Sequence, residues 1–201
     1  DYNCKQSSRD DTSYMGWCVQ ALKAAKMSGL EHPGLDRAMR LAVKGIQKNA
    51  HPQGGFGYTR PGRGGLTGVG VLCMQLLGAG GESEVRRGLQ YLDQQATFDW
   101  HEPWGGSPIY YWYYTTQAKF PAGGETWTKW NAQFSRELVR AQTVLKGETV
   151  DGKDMGYWDS PGKKEHSDGR VQDTCLSTLQ LEVYYRYLPT FKAPSASKEP
   201  E

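Results

Sequence analysis

The sequence predicts an all-α protein whose helices form two layers. A loop-and-helix unit recurs three times, and the segments alternate between apolar on most faces and amphipathic. Together these signs mark a stack of helical hairpins, which is built differently from a closed globule. In each copy a Gln near the end of one stretch runs into a Gly/aromatic loop, and a very apolar segment follows. The copies are Gly45-Ile46-Gln47 to Gly54-Gly55-Phe56-Gly57-Tyr58, Leu89-Gln90 through Gln94 to Trp100, and Arg140-Ala141-Gln142 to Gly156-Tyr157-Trp158.

The first helix is expected over Thr12 to Ser28, with Asp11 or Thr12 as N-cap and Gly29 as stop. Pro33 and Gly34 turn the chain into a second helix, on which Leu35, Met39, Ala42 and Ile46 form one apolar stripe. A Gly/Pro-dense loop, Ala50 to Gly65, leads to the third helix, Leu66 to Leu77. This helix is apolar nearly all round, so burial on most sides follows. Gly68 and Gly70 lower its propensity but admit a close backbone neighbour. Gly78 to Gly81 end it. The fourth helix, Glu82 to Gln95, carries the stripe Val85, Leu89 and Leu92. The fifth, Ile109 to Phe120, contains Tyr-Tyr-Trp-Tyr-Tyr. A strand is the alternative for Ile109 to Tyr114, because Tyr and Trp favour sheets. The place of this segment in the repeat selects helix. The sixth helix, Glu125 to Gln142, shows Trp127, Trp130, Phe134, Leu138 and Ala141 on one face. The seventh, Val171 to Tyr187, is rich in apolar and aromatic residues. Residues 1–11 form a polar lead-in, 12–189 the repeat domain, and 190–201 a tail of disordered composition.

With 24 basic and 22 acidic residues the net charge is only +2, and the basic groups are scattered. Nucleic acid is therefore not an expected partner. The densest basic group, Arg60, Arg63, Lys163 and Lys164, lies in two loops. No run approaches the ~18 apolar residues of a membrane span, so no transmembrane segment is expected. No secretory leader is recognisable, and the first residue is not Met, which is compatible with a leader having been removed. Cys18, Cys73 and Cys175 fall in apolar segments and read as small buried hydrophobes, whereas Cys4 is in the polar lead-in. Neither the cysteines nor the four loop histidines (His32, His51, His101, His166) have zinc-site spacing. No metal or other cofactor is expected.

The copies align residue by residue. Thr12, Thr67 and Thr174 open their helices, Cys18 matches Cys73, and Gln20, Gln75, Gln117 and Glu182 share one position. Polar side chains on buried helices need partners. Neighbouring backbone groups or a bound ligand would each supply them.

These features resemble the α/α-toroid superfamily of squalene-hopene cyclases and protein prenyltransferases. Its Q-x-x-x-G-x-W repeat is matched in spacing by Gln94 to Trp100, with Phe98 in the Gly position; the other two copies are stretched. From Thr12 to Pro189 the chain is most similar to bacterial squalene-cyclase-like repeat proteins. The matching stretches include Gly16-Trp17 through Leu30, Thr67 through Gly78, Tyr110 through Gly124, and Leu181 through Pro189. The resemblance implies a partial α/α toroid of about seven helices and, together with the missing initiator Met, an extracytoplasmic location. It does not itself define an activity.

The cyclases protonate an alkene with the acid of a D-x-D-D-T motif. Ser8-Arg9-Asp10-Asp11-Thr12 stands in its place, with Asp10 on the acid, Asp11 beside it and Ser8 replacing the first Asp. The alternative is that Asp11 caps a helix and Asp10 is solvated. The prenyltransferase zinc ligands are mostly missing, since Asp173 stands where their His belongs and Leu66-Thr67-Gly68 replaces their Asp-x-Cys pair. Aromatics suggest a different site. Trp100, Trp104, Tyr110, Tyr111, Trp112, Tyr113, Tyr114 and Trp158 cluster at two loop–helix junctions, and aromatic faces bind sugars and isoprenoids alike. Of these, Trp100, Trp104, Tyr111, Trp112, Tyr114 and Trp158 are the candidate ligand-binding residues. Asp99 and Glu102 nearby form a candidate carboxylate pair of the kind sugar cleavage requires. Core filling is the alternative role for the aromatics.

Four inner-type helices and three outer ones make an arc too short to close, and both ends are inner-type. Uncapped repeat ends expose apolar surface. The expected function is therefore a non-catalytic binding or assembly module. It would hold a protein partner or an apolar or isoprenoid ligand on the concave aromatic face, or form homo-oligomers or protein complexes through the edges. The alternative is a terpenoid-cyclase-like or prenyl-handling enzyme using Asp10 and Asp11.

Overall fold

The structure is a computed structural model and describes residues 10–161 and 169–185. The expectations for Cys4, Lys163, Lys164, His166, the lead-in before residue 10 and the tail lie outside the described residues. The chain is mostly helical, with α1 (Thr12–Met27), α2 (Leu35–Lys48), α3 (Thr67–Leu76), α4 (Ser83–Gln95), α5 (Pro108–Ala122), α6 (Gly124–Arg140) and α7 (Arg170–Leu181). Ile109 to Tyr114 is helical, within α5. The expected seventh helix is shorter within the described residues: it ends at Leu181, and helical conformation resumes at 183–185.

One element was not anticipated. Residues Thr143–Leu145 (β1) and Met155–Tyr157 (β2) pair as an antiparallel hairpin, with Thr143 opposite Tyr157. The sequence reading treats this stretch as a lengthened repeat loop. Val144 and Thr143 are β-branched and suit a strand. Gly147 and Gly152, at φ 67° and 74°, turn the chain between the strands.

The helix ends follow local chemistry. Asp11 caps α1 by accepting from the Tyr14 N–H at 3.0 Å, which satisfies one of the unpaired donors of the first turn. The C-termini of α1 and α3 close in the same way. Leu30 N–H donates to Ala25 O and Gly29 N–H to Lys26 O, as Ala79 N–H does to Met74 O and Gly78 N–H to Gln75 O. This Schellman pairing needs a residue at positive φ, supplied by Gly29 and Gly78. The ends of α1 and α3 thus share one pattern of backbone hydrogen bonds.

Packing sorts the helices by parity. The odd helices pack in series, α1 on α3, α3 on α5 and α5 on α7, and each even helix lies against the odd helix before it. Nearly every residue of α3 is buried, while α2, α4 and α6 each bury only one stripe. Gly68 sets the α3–α5 distance, because a Cβ there would lie 2.8 Å from Thr115 N and 2.9 Å from the Tyr114 carbonyl carbon. A Cβ at Gly70 would enter the ring of Phe56.

Glutamines bridge the odd series. Gln75 Nε2 donates to Ala118 O of α5 at 3.0 Å, and Gln117 Nε2 to Leu179 O of α7 at 3.2 Å. Gln20 Nε2 donates to its own helix at Gly16 O and to the Tyr114 hydroxyl. The shared Gln position therefore ties helix to helix, whereas Glu182 is exposed at the end of the series. Cys175 is exposed, which corrects the expectation of a buried thiol, and Cys18 is half-buried. Cys73 is fully buried, and burial pushes its thiol well above the ordinary range.

A buried cation joins α4 to α5. The Lys119 ammonium, almost inaccessible, pairs with Asp93 at 2.8 Å, approaches Leu92 O at 3.4 Å and lies 4.9 Å from the Trp130 ring centre. Burial holds its pKa below the ordinary lysine value, and Asp93 opposes that shift. Asp93 is near the surface and also accepts from the Thr126 hydroxyl at 2.7 Å.

These contacts predict the outcome of substitutions at Gly68, Asp93 and Lys119. Gly68→Ala gains about 1 kcal/mol of helix propensity. It also forces backbone out of contact, so a net loss of roughly 1–3 kcal/mol is expected and would appear as a lower midpoint in urea. At the buried pair, Asp93→Ala leaves an uncompensated ammonium and should cost about 2–3 kcal/mol. Lys119→Met should cost less, because Asp93 can be solvated. A depressed lysine pKa means the unfolded chain holds more protons between the lowered folded value and the ordinary value near 10.4. The stability of the native sequence relative to Lys119→Met should therefore rise with pH across that window, as measured by urea titrations.

Candidate functional site

The odd helices share a direction, so their first residues gather at one end of the series. A cleft of about 510 Å³ opens there, lined by residues at or just before the starts of all four. Ser13 and Trp17 come from α1, Leu66 precedes α3, Ser107, Tyr110 and Tyr111 come from the start of α5, and Gln172 comes from α7. Tyr58, from the first repeat loop, completes the lining.

The loops that carry these residues are fastened by repeat-equivalent bonds. Phe56 N–H donates to the Thr67 hydroxyl at 3.2 Å, and Trp158 N–H donates to the Thr174 hydroxyl at 3.1 Å. In both cases a Thr of the following helix, the first residue of α3 and the fifth of α7, holds the loop before it. The match also corrects the sequence alignment, because Phe56 rather than Tyr58 is the counterpart of Trp158. Phe56 is buried, and Tyr58 is left at the cleft. In the second copy Phe98, in the expected Gly position, is the buried ring, and Trp100 is only half-buried.

Asn49 fixes the Tyr58 side of the cleft. It is buried, and its amide nitrogen lies 2.7 Å from Asp10 O, 2.9 Å from the Thr12 hydroxyl and 3.1 Å from Tyr58 O. Thr12 donates its N–H to Tyr58 O and its hydroxyl to Gly57 O. The start of α1, the end of α2 and the first loop form one hydrogen-bonded knot.

The floor is a tyrosine layer. Ser13 Oγ and Tyr110 Oη are 2.8 Å apart, and Tyr110 packs on Tyr114 with ring centres 4.9 Å apart. Trp17 meets Tyr114 edge-on at 5.9 Å. Burial raises the Tyr114 phenol far above its ordinary pKa, so it stays protonated. The Tyr111 ring lies against Gly65 and Gly105, where any side chain would strike it, and Trp104 meets it edge-on at 6.0 Å. The space beside the Tyr111 ring thus requires glycine at both positions.

Of the aromatics expected to bind ligand, Tyr111 lines the cleft and Trp104 stands behind it. Trp100 packs on Trp112 with centres 5.8 Å apart. Trp112, Tyr114 and Trp158 belong to the core, which corrects their assignment as ligand-facing rings. The indole N–H of Trp112 donates to Thr97 O and that of Trp158 to Leu138 O, both at 2.7 Å. A buried Trp with its one donor satisfied is a packing residue. Trp17, Tyr58 and Leu66 were not singled out as ligand-binding residues. The signal available was the repeat itself, because parallel helices bring their opening residues together.

Asp10 and Asp11 do not line the cleft. Asp10 forms a 2.7 Å ion pair with the exposed Lys48, and Asp11 caps α1. Asp99 organises its own loop, accepting from the His101 and Glu102 N–H groups at 2.8 and 3.0 Å. Chiefly the Glu102 N–H, and then that of His101, hold the Asp99 carboxyl below its ordinary pKa. Both Asp99 and Glu102 are outside the cleft lining. Among the described residues no group of three His, Cys, Asp or Glu is placed to hold a metal ion, and no helix is long and apolar enough to cross a membrane. No protein-family model, curated protein or solved structure matches the chain.

Proposed function

We propose that this protein is a non-catalytic binding and assembly module of the squalene-cyclase-like α/α-toroid class. Its helices make an unclosed arc, with the odd helices as the inner layer and the even ones outside. The aromatic cleft at the starts of the inner helices is the ligand face, and its occupant presents apolar surface to the rings. One observation carries this reading: an open pocket to which all four inner helices contribute, with rings held in place by glycine contacts and hydrogen bonds.

The cyclase-like reading has less support. Protonating an alkene requires a strong acid aimed into an enclosed apolar site. Asp10 instead meets Lys48 at the surface, and Asp11 is engaged in capping.

The ends of the arc are the proposed assembly surfaces. Val171 and Tyr185 on the last inner segment are 78% and 77% exposed, and on α1 the exposed positions away from the cleft include Ala21 and Ala24. Interior repeats bury such faces against the next repeat.

Two measurements test the proposal. Titration with the uncharged dye Nile red should give saturable fluorescence enhancement that falls about tenfold in affinity in Trp17→Ala, a change of roughly 1.4 kcal/mol. Equal binding by both proteins would remove the cleft as the ligand face. Sedimentation velocity should show concentration-dependent association of the full chain, weakened by Val171→Glu. A stable monomer across the concentration series would remove the edges as assembly surfaces.

A further inference from the structure

We infer that the solvent-facing side of α2 is a docking surface for an anionic lipid bilayer. Residues 37–81 contain no Asp or Glu and six basic residues, Arg37, Arg40, Lys44, Lys48, Arg60 and Arg63. The first four fall on α2. At 3.6 residues per turn they lie within a sector of about 80° and span roughly 16 Å of the helix. All four are exposed, while Leu35 and Ile46, on the opposite side, are buried. That buried side packs on α1 and α3.

A solvated helix face ordinarily mixes charges of both signs, as the other two even helices do. On α4, Glu84 and Asp93 accompany Arg86 and Arg87; on α6, Glu125 and Glu137 accompany Lys129, Arg136 and Arg140. The only acid on α2 is Asp36 in its first turn, and it pairs with Lys26 of α1 at 2.9 Å. Lys48 pairs with Asp10 at 2.7 Å. Among the described residues no carboxylate pairs with Arg37, Arg40 or Lys44. Like charges about one turn apart on a helix repel. The stripe therefore carries a cost that an anionic partner removes.

The shape and apolar content of this face favour a bilayer among anionic partners. A convex helix face meets a broad surface along its length, whereas a peptide partner is ordinarily held in a groove. Leu41 is 55% exposed and lies beside the basic sector, about 40° around the helix from Arg37. Against nucleic-acid phosphates or a polyacid it would gain no apolar contact. At a bilayer the headgroup phosphates meet Arg37, Arg40 and Lys44, and Leu41 faces the acyl boundary between their stems. Such association needs no membrane-spanning helix. None of the stripe residues lines the aromatic cleft, so the two surfaces are independent.

The test is flotation of the full chain with vesicles of phosphatidylcholine alone and with vesicles containing roughly one-third phosphatidylglycerol. The expected result is saturable binding to the phosphatidylglycerol vesicles only, weakening as salt is raised. Replacing Arg37, Arg40 and Lys44 together by Gln should lower the affinity about a hundredfold, roughly fivefold for each charge. Leu41→Ser should lower it by about threefold or more. All four side chains are exposed, so an unchanged thermal midpoint separates lost binding from lost folding. The double variant Arg136→Gln and Arg140→Gln, which removes exposed charge from α6, should bind almost as the native chain does. Failure to bind the phosphatidylglycerol vesicles overturns the inference, as does binding that the triple variant retains. A comparable loss in the α6 variant overturns the assignment to α2. Binding of a duplex oligonucleotide or of polyglutamate that the triple variant loses, without vesicle binding, overturns the lipid assignment.

Discussion

The close approach of α3 to α5 is the constraint on which the rest of the structure depends. Gly68 lets two helix backbones touch where any side chain would separate them. Gln75 then spans the same junction to Ala118 O, and Gln117 repeats the device between α5 and α7. A buried amide that donates to a neighbouring helix is more specific than an apolar contact, because a shift in register would leave it unpaired. The series of odd helices is thus set by steric closeness and by position-dependent hydrogen bonds together. The outer helices add one apolar stripe each and can be mostly solvated.

The loops before α3 and α7 are tied to this frame by a Thr near the start of the helix that follows. Thr67 and Thr174 each accept the N–H of a buried loop aromatic, Phe56 and Trp158. The aromatic is packed inside and its backbone donor is satisfied by the helix it introduces. That coupling explains why an irregular, glycine-rich loop keeps a defined path to the cleft. Asn49 does the comparable work at the start of α1, where its amide nitrogen meets Asp10 O, the Thr12 hydroxyl and Tyr58 O.

The cleft is a consequence of direction. Helices that run the same way and pack in series put their opening residues on one rim. The aromatics divide accordingly. Rings one turn or more into α5, such as Trp112 and Tyr114, are enclosed by neighbours, while Tyr110 and Tyr111 at its start reach the opening. Asp11, Asp10 and Asp99 are used for capping, ion pairing and loop closure, and no acidic side chain is among the described residues that line the pocket.

Much of the helical order was legible in the residues themselves. Periodicity over Leu35–Ile46 and Trp127–Ala141, the all-round apolar Leu66–Leu77, and the stops at Gly29 and Gly78 depend on local geometry, which neighbouring residues dictate. Asp11 could be read as a cap for the same reason. The hairpin at Thr143–Tyr157 was not legible, because three-residue strands carry too little alternation to stand out from a loop. The identity of the rings that line the cleft was hidden for a deeper reason. Trp17, Trp112 and Trp158 are chemically alike, and only packing decides that Trp17 is at the rim while the other two are enclosed with their N–H groups satisfied. Sequence determined the helices and their alternation, since those follow from contacts a few residues apart. Tertiary structure decided which aromatics face outward, since that depends on which distant segment covers each one.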